Sequence, residues 1–276
     1  MRFIQSLLYG FISGLAEFLP VSGHAHQALL MQMFGLSHRE PLMDLMIHIS
    51  LLFALMIAGR SLFSKIRREK SLSSRVTKGQ LHRATSKSLF DLQVVRTASI
   101  PMLLLLLLYL VVSGWEFKSG ALSIVLVING IVLIVPEHMR HGNKDARAMS
   151  STESLLIGVI SGLSAIPGIS RIGAGLSAST ANGADRQNSV NWVLMLSLPA
   201  LVAYIVFDLI GLIVWGFGSI TFVIFLGYLL GAALAFVGGY LSVILLRIIF
   251  EHTSFSPFAF YSWGMALFVF ILYLIT

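Results

Sequence analysis

Six stretches of this chain, at about 42–59, 97–113, 119–136, 190–214, 219–246 and 257–275, run apolar almost without charge. Each approaches or exceeds the ~20 residues that carry a helix across a bilayer. Only 11% of residues are charged and 57% are hydrophobic, with a mean hydropathy of +0.87. A soluble domain usually carries about 25% charged residues. The predicted fold class is therefore an all-α polytopic membrane protein. Cysteine is absent, which excludes a disulfide framework, a thiolate metal site and a cysteine nucleophile.

The net charge of +7 invites a nucleic-acid reading that its placement excludes. Ten of the 19 Lys and Arg residues fall between Arg60 and Arg96, opposed there by Glu69 and Asp91. Such a cluster between apolar runs marks a cytoplasmic loop, read first as a solvated segment that orients the protein and second as a surface for anionic head groups. The N-terminus imitates a secretory signal, with Arg2, an apolar run and small residues near Ala25. Gly10, Gly14 and Glu17 interrupt that run, so residues 1–25 are expected to stay in the mature protein.

Two further apolar regions, 3–34 and 154–182, are broken near their middles by Pro, Gly, Ser and a charged residue. They resemble each other. "GFISGL" (10–15) recurs as "GVISGL" (158–163), and each copy leads to a proline and then a serine, "PVS" (20–22) and "PGIS" (167–170). Broken segments at matching places in two halves locate the site of inverted-repeat membrane proteins. The expected organisation is one membrane domain, 1–276, with a first repeat over 1–136 and a second over 137–276. Each half would hold one re-entrant helical hairpin plus three transmembrane helices. With loop 60–96 cytoplasmic, parity puts 137–153 and Arg247 inside and both termini outside. Three spans per half is an odd number, so the halves are inverted and their broken tips can meet within the membrane.

The chemistry concentrates at those tips. Glu17 lies in the first and Arg171 in the second. Charged groups at that depth find a partner or face a cavity, so the two either pin the hairpins together or form a functional site. "AIPGISRIGAG" (165–175) sets one arginine among small residues, which suits close backbone approach to a phosphate and equally suits helix–helix contact. Ser22 and Ser170 stand at equivalent places as phosphate ligands, a nucleophile, or backbone-bonding hydroxyls. His24 and His26 offer a metal ligand or proton carrier. Asp44, His48, Asn129, Asn191 and Asp208 read as cavity lining or as packing contacts between helices.

"PVSGH" (20–24) is similar to an element of type 2 phosphatidic-acid phosphatases, but the histidine they need after Ser170–Arg171 is missing. "GLAEFLPVS" and "PGISRIGA" together resemble the BacA-type undecaprenyl-diphosphate phosphatase family across essentially the whole layout. That resemblance implies hydrolysis of a C55 isoprenoid diphosphate to the monophosphate used in cell-wall synthesis. It also implies bacitracin resistance, a Mg²⁺ or Ca²⁺ cofactor, an outward-facing site and the bacterial inner membrane. The partners implied are the isoprenoid diphosphate lipid and the membrane, with a homodimer left open. By the same resemblance Glu17, Ser22, His26 and Arg171 are the catalytic candidates. Ser170, Arg171, Gly173 and His24 would bind substrate, and Glu17 would hold the metal. Ser13, Gly23, Ile172 and Gly175 depart from the family pattern, where a glutamate, a serine, a serine and a threonine are expected. Those departures keep a second reading open, a non-hydrolytic relative that binds or flips a lipid phosphate, and a third, a non-catalytic membrane partner.

Overall fold

The structure is a computed structural model of the chain and describes residues 1–36, 40–64, 87–112, 119–138, 142–216, 220–252 and 254–275. Most of the basic loop 60–96 lies outside the described residues, as do Arg39, Lys118 and Arg140. Apart from one isolated bridge pairing Lys144 with Ala184, the regular elements among the described residues are helical.

Among the described residues six helical segments are long and apolar enough to cross a membrane, and they are the six runs of the sequence. They are α3 (Pro41–Ala58), α4 with α5 (Lys87–Leu106 and Leu108–Val112), α6 (Ser119–Ile134) with the turn that follows it, α9 (Arg186–Trp215), α10 (Phe222–His252) and α11 (Ser256–Ile275). Their outward faces are greasy: Ile213, Trp215 and Phe222 are largely exposed, whereas Asp44, His48, Asn129 and Asp208 are buried. In lipid this distribution is the stable one, because a polar group pays its desolvation cost unless it turns inward to a partner.

Among the described residues four shorter helices stand outside those six segments: α1 (Phe3–Glu17), α2 (Gly23–Met33), α7 (Ser151–Gly162) and α8 (Arg171–Ala181). At ~1.5 Å per residue the longest reaches roughly 22 Å, short of a hydrocarbon core of about 30 Å. Their sequences say why they end. Pro20 follows α1, and Pro167 with Gly168 (φ +112°) separates α7 from α8. Ser22 and Ser170 then cap the next helices, accepting from the N–H groups of Ala25 and Gly173.

The repeated hexapeptide has a packing role that its Gly-x-x-x-Gly spacing announces. A Cβ on Gly10 would fall 2.0 Å from the Gly231 carbonyl oxygen on α10, and one on Gly14 2.3 Å from that of Ala235. In the second copy a Cβ on Gly158 would fall 2.0 Å from the Ala98 carbonyl oxygen on α4, and one on Gly162 2.8 Å from Leu105 Cβ. Both short helices are thus pressed backbone to backbone against a long one.

The start of α7 carries a capping box. Ser150 Oγ accepts from Glu153 N–H, and Glu153 accepts from Ser150 N–H and from Lys144 Nζ at 2.6 Å. The Lys144 ammonium first, and the Ser150 N–H second, hold the Glu153 carboxyl below its ordinary range. A depressed folded pKa adds stability above the unfolded pKa and loses it as pH falls through the folded one. Glu153→Gln is therefore expected to lower Tm at pH 7 and to cost progressively less as pH falls below the ordinary carboxylate range; a loss that does not change with pH would show that charge has no part in this cap.

Candidate functional site

The turns after α1 and α7 meet and are cross-linked. Arg171 Nη2, at the first position of α8, donates to Glu17 Oε1, at the last position of α1, at 2.6 Å. Their side chains are 6% and 10% exposed, so this is a desolvated ion pair. Gly168 N–H donates to Ser22 Oγ at 3.2 Å, and Ser170 Oγ donates to the Leu19 carbonyl at 3.3 Å. Each turn's serine thus holds the other turn's backbone. Ser22 is also the one non-glycine residue at positive φ (62°) among the described residues, and its two hydroxyl contacts hold that strained conformation.

Arg171 is only partly satisfied. Among the described residues its Nε and Nη1 are buried without a hydrogen-bond partner. An orphaned guanidinium donor in a low-dielectric interior is costly, and an oxyanion is the group that best satisfies it. The first N–H groups of α8 lie beside it.

The other candidates divide. His26 Nδ1–H donates to the Ser22 carbonyl at 2.8 Å, which leaves Nε2 to accept from the Tyr261 hydroxyl at 2.7 Å. His24 instead packs against Tyr109 and Tyr204, and the Arg171 guanidinium lies 5.9 Å from the Tyr204 ring centroid. Gly173 is packed tightly, since a Cβ there would meet Leu133 at 2.7 Å and Pro20 at 3.2 Å. Of the five dispersed polar residues, Asn129 accepts from Ser170 N–H at 2.8 Å and so supports the second turn. Asp44 accepts from Tyr9, and His48 pairs with Asp208. Asn191 lines a separate recess with Arg186 and Arg247.

The departures from the family pattern have local partners. Ser13 accepts from Gln27 Nε2 at 3.2 Å, and Ile172 is fully buried in the main core. A Cβ on Gly23 would stand 2.9 Å from Glu17 Oε2, and one on Gly175 2.7 Å from Ser161 Oγ. Tyr204 and Tyr261 escaped the sequence reading because an aromatic in an apolar helix gives no signal of what it faces.

These features define a class: a multi-pass helical membrane protein in which two helix breaks bring an acid and an arginine together between the helices. Residues 6–268 match the family described as "Bacitracin resistance protein BacA", and the chain belongs to that family. Among similar proteins, one named undecaprenyl-diphosphatase from Carboxydothermus hydrogenoformans is 26% identical over 273 residues, spanning 99% of this chain and 98% of its own. Another of that name from Treponema denticola is 27% identical over 265 residues, 95% and 94% of the two chains. A third, from Nocardioides, is 28% identical over 264 residues, 94% and 92%.

Proposed function

We propose that this chain hydrolyses undecaprenyl diphosphate: water adds to the terminal phosphorus, the anhydride P–O bond breaks, and undecaprenyl phosphate and inorganic phosphate leave. The observation that carries this reading is the buried Arg171, bound to Glu17 through one nitrogen, with Nε and Nη1 lacking a hydrogen-bond partner among the described residues. Family membership and relatives named for this reaction support it. A terminal phosphate would engage Nε and Nη1 and compete for Nη2. Glu17, released from the pair, then either helps to hold a divalent ion or takes the proton of the attacking water. Arg171 and the α8 N–H groups stabilise charge on the transferring phosphoryl.

His26 has the arrangement of a general base or acid, with Nδ1–H fixed on a backbone carbonyl and Nε2 basic. Ser22 Oγ accepts two backbone N–H groups, so we assign it to holding the turns and the attack to water. His24, Ser170 and Gly173 shape the phosphate cradle in this reading.

Among the described residues there is no cluster of three metal-ligating side chains. The single carboxylate fits a Mg²⁺ ion that arrives with the diphosphate, since Mg²⁺ is commonly held by one or two carboxylates plus substrate phosphates. Glu17 would hold it, and the ion would neutralise charge on the substrate.

The same reading makes α1–α2 and α7–α8 re-entrant hairpins, each followed by three spans, in two oppositely oriented halves. The matching Gly-x-x-x-Gly contacts and reciprocal serine bonds support it. The basic loop would then face the cytoplasm and both termini the outside.

The test is phosphate release from undecaprenyl or farnesyl diphosphate by purified protein, with Mg²⁺ and with a chelator. Turnover that the chelator cuts by an order of magnitude or more is the expected result. Tight binding of the diphosphate with no phosphate released would replace hydrolysis with transport.

A further inference from the structure

The polar interior does not stop at the two turns. On α9, Asp208 (6% exposed) accepts a 2.6 Å bond from Nδ1 of His48 (1% exposed) on α3. The His48 ring stacks on Tyr204, with centroids 5.2 Å apart and planes 23° apart. Tyr204 precedes Asp208 by one helical turn, and its ring is the one that lies under the Arg171 guanidinium at 5.9 Å. His24 and Tyr109 close around the same ring at 5.1 and 5.2 Å. A continuous chain of contacts therefore runs Asp208, His48, Tyr204, Arg171, Glu17, drawn from α9, α3, α8 and α1.

A histidine–aspartate pair is an expensive way to fill space between apolar helices, because both groups lose their hydration. Its placement suggests what it does. Arg171 contacts Glu17 through a single nitrogen, without the two-bond fork that fixes a guanidinium plane. One bond leaves the group free to swing about it. The second constraint is the aromatic face of Tyr204, which attracts the cation and sets where Nε and Nη1 point.

We propose that Asp208, His48 and Tyr204 are positioning residues that orient Arg171 for the substrate phosphate. Asp208 fixes the His48 ring, His48 fixes the face of Tyr204 by stacking, and Tyr204 fixes the guanidinium. This rests on the reading of Arg171 as a phosphate ligand. None of the three needs to touch the diphosphate.

The test uses the full chain in detergent. The Kd of a non-hydrolysable farnesyl methylenediphosphonate is measured beside KM and kcat for farnesyl diphosphate, with Tm recorded for every variant. Tyr204→Leu is expected to raise Kd and KM roughly tenfold, and Tyr204→Phe, which keeps the ring, to change them by less than about twofold. Asp208→Asn is expected to raise Kd about fivefold alone and not at all when combined with Tyr204→Leu, because it acts through that ring. A Tm loss with unchanged Kd, or effects of Asp208→Asn and Tyr204→Leu that multiply, would overturn the proposal in favour of plain packing. Should the wild type bind the diphosphonate yet release no phosphate, hydrolysis fails and the Kd cycle still decides this point. Wild type that does not bind it overturns both.

Discussion

Arg171→Ala is expected to lower kcat/KM for phosphate release by on the order of 10³-fold, the largest effect of any single side chain in this protein. Two losses combine. The substrate phosphate loses the guanidinium whose Nε and Nη1 have no hydrogen-bond partner among the described residues, and Glu17, 10% exposed, is left as an uncompensated buried acid. The second loss is one of stability, about 3–5 kcal/mol for breaking a buried pair from one side. Chemistry and stability separate in the double variant Glu17→Leu/Arg171→Met, which removes both charges from the interior. Its Tm should recover most of what Arg171→Ala loses, with no return of turnover. Arg171→Lys retains the charge but not the planar set of donors, and should rescue less than a tenth of the rate. Phosphate release by Arg171→Ala within tenfold of wild type would remove the arginine from the reaction.

Gly10→Val should be the most damaging substitution outside the site. The added Cβ meets the Gly231 carbonyl oxygen at 2.0 Å, and both partners are helix backbone, so no side chain can rotate away. Forcing α1 from α10 also moves Glu17 at the far end of α1 away from Arg171. A cost of about 3 kcal/mol or more is expected, at or above the upper end of ordinary overpacking, with activity lost alongside Tm. Gly264→Ala on α11 is the contrast: nothing lies within 4 Å of the new Cβ. It should be neutral or gain up to ~1 kcal/mol from helix propensity. Equal Tm for the Gly10 and Gly264 variants would mean that α1 and α10 do not pack as closely as the structure has them.

Much of the site was legible because membrane chemistry makes it so. Glu17 and Arg171 stood out as charges within apolar runs, and the prolines and glycines beside them marked where helix must stop. Both serines could be placed as equivalent because "PVS" and "PGIS" follow copies of one hexapeptide. The same hexapeptide carries a Gly-x-x-x-Gly spacing, but which helix each copy packs against came only from the structure. Asp44, His48 and Asp208 were visible as polar residues in spans, but their partners were not. His48 and Asp208 are 160 residues apart, and Tyr261 is 235 residues from the histidine it bonds.

The sequence by itself determined the solvent and the elements: apolar runs of membrane length must become helices, since the backbone has no water to bond. It also determined where those helices break and which charged residues lie at the breaks. Only the tertiary structure decided that Glu17 meets Arg171, that each turn's serine holds the other turn, and that an aromatic ring under Arg171 is tied through His48 to Asp208. The division follows from range. Hydrophobicity and turn chemistry act between near neighbours in the chain, whereas a side chain's partner depends on which helices pack together, and that is set by all of them at once.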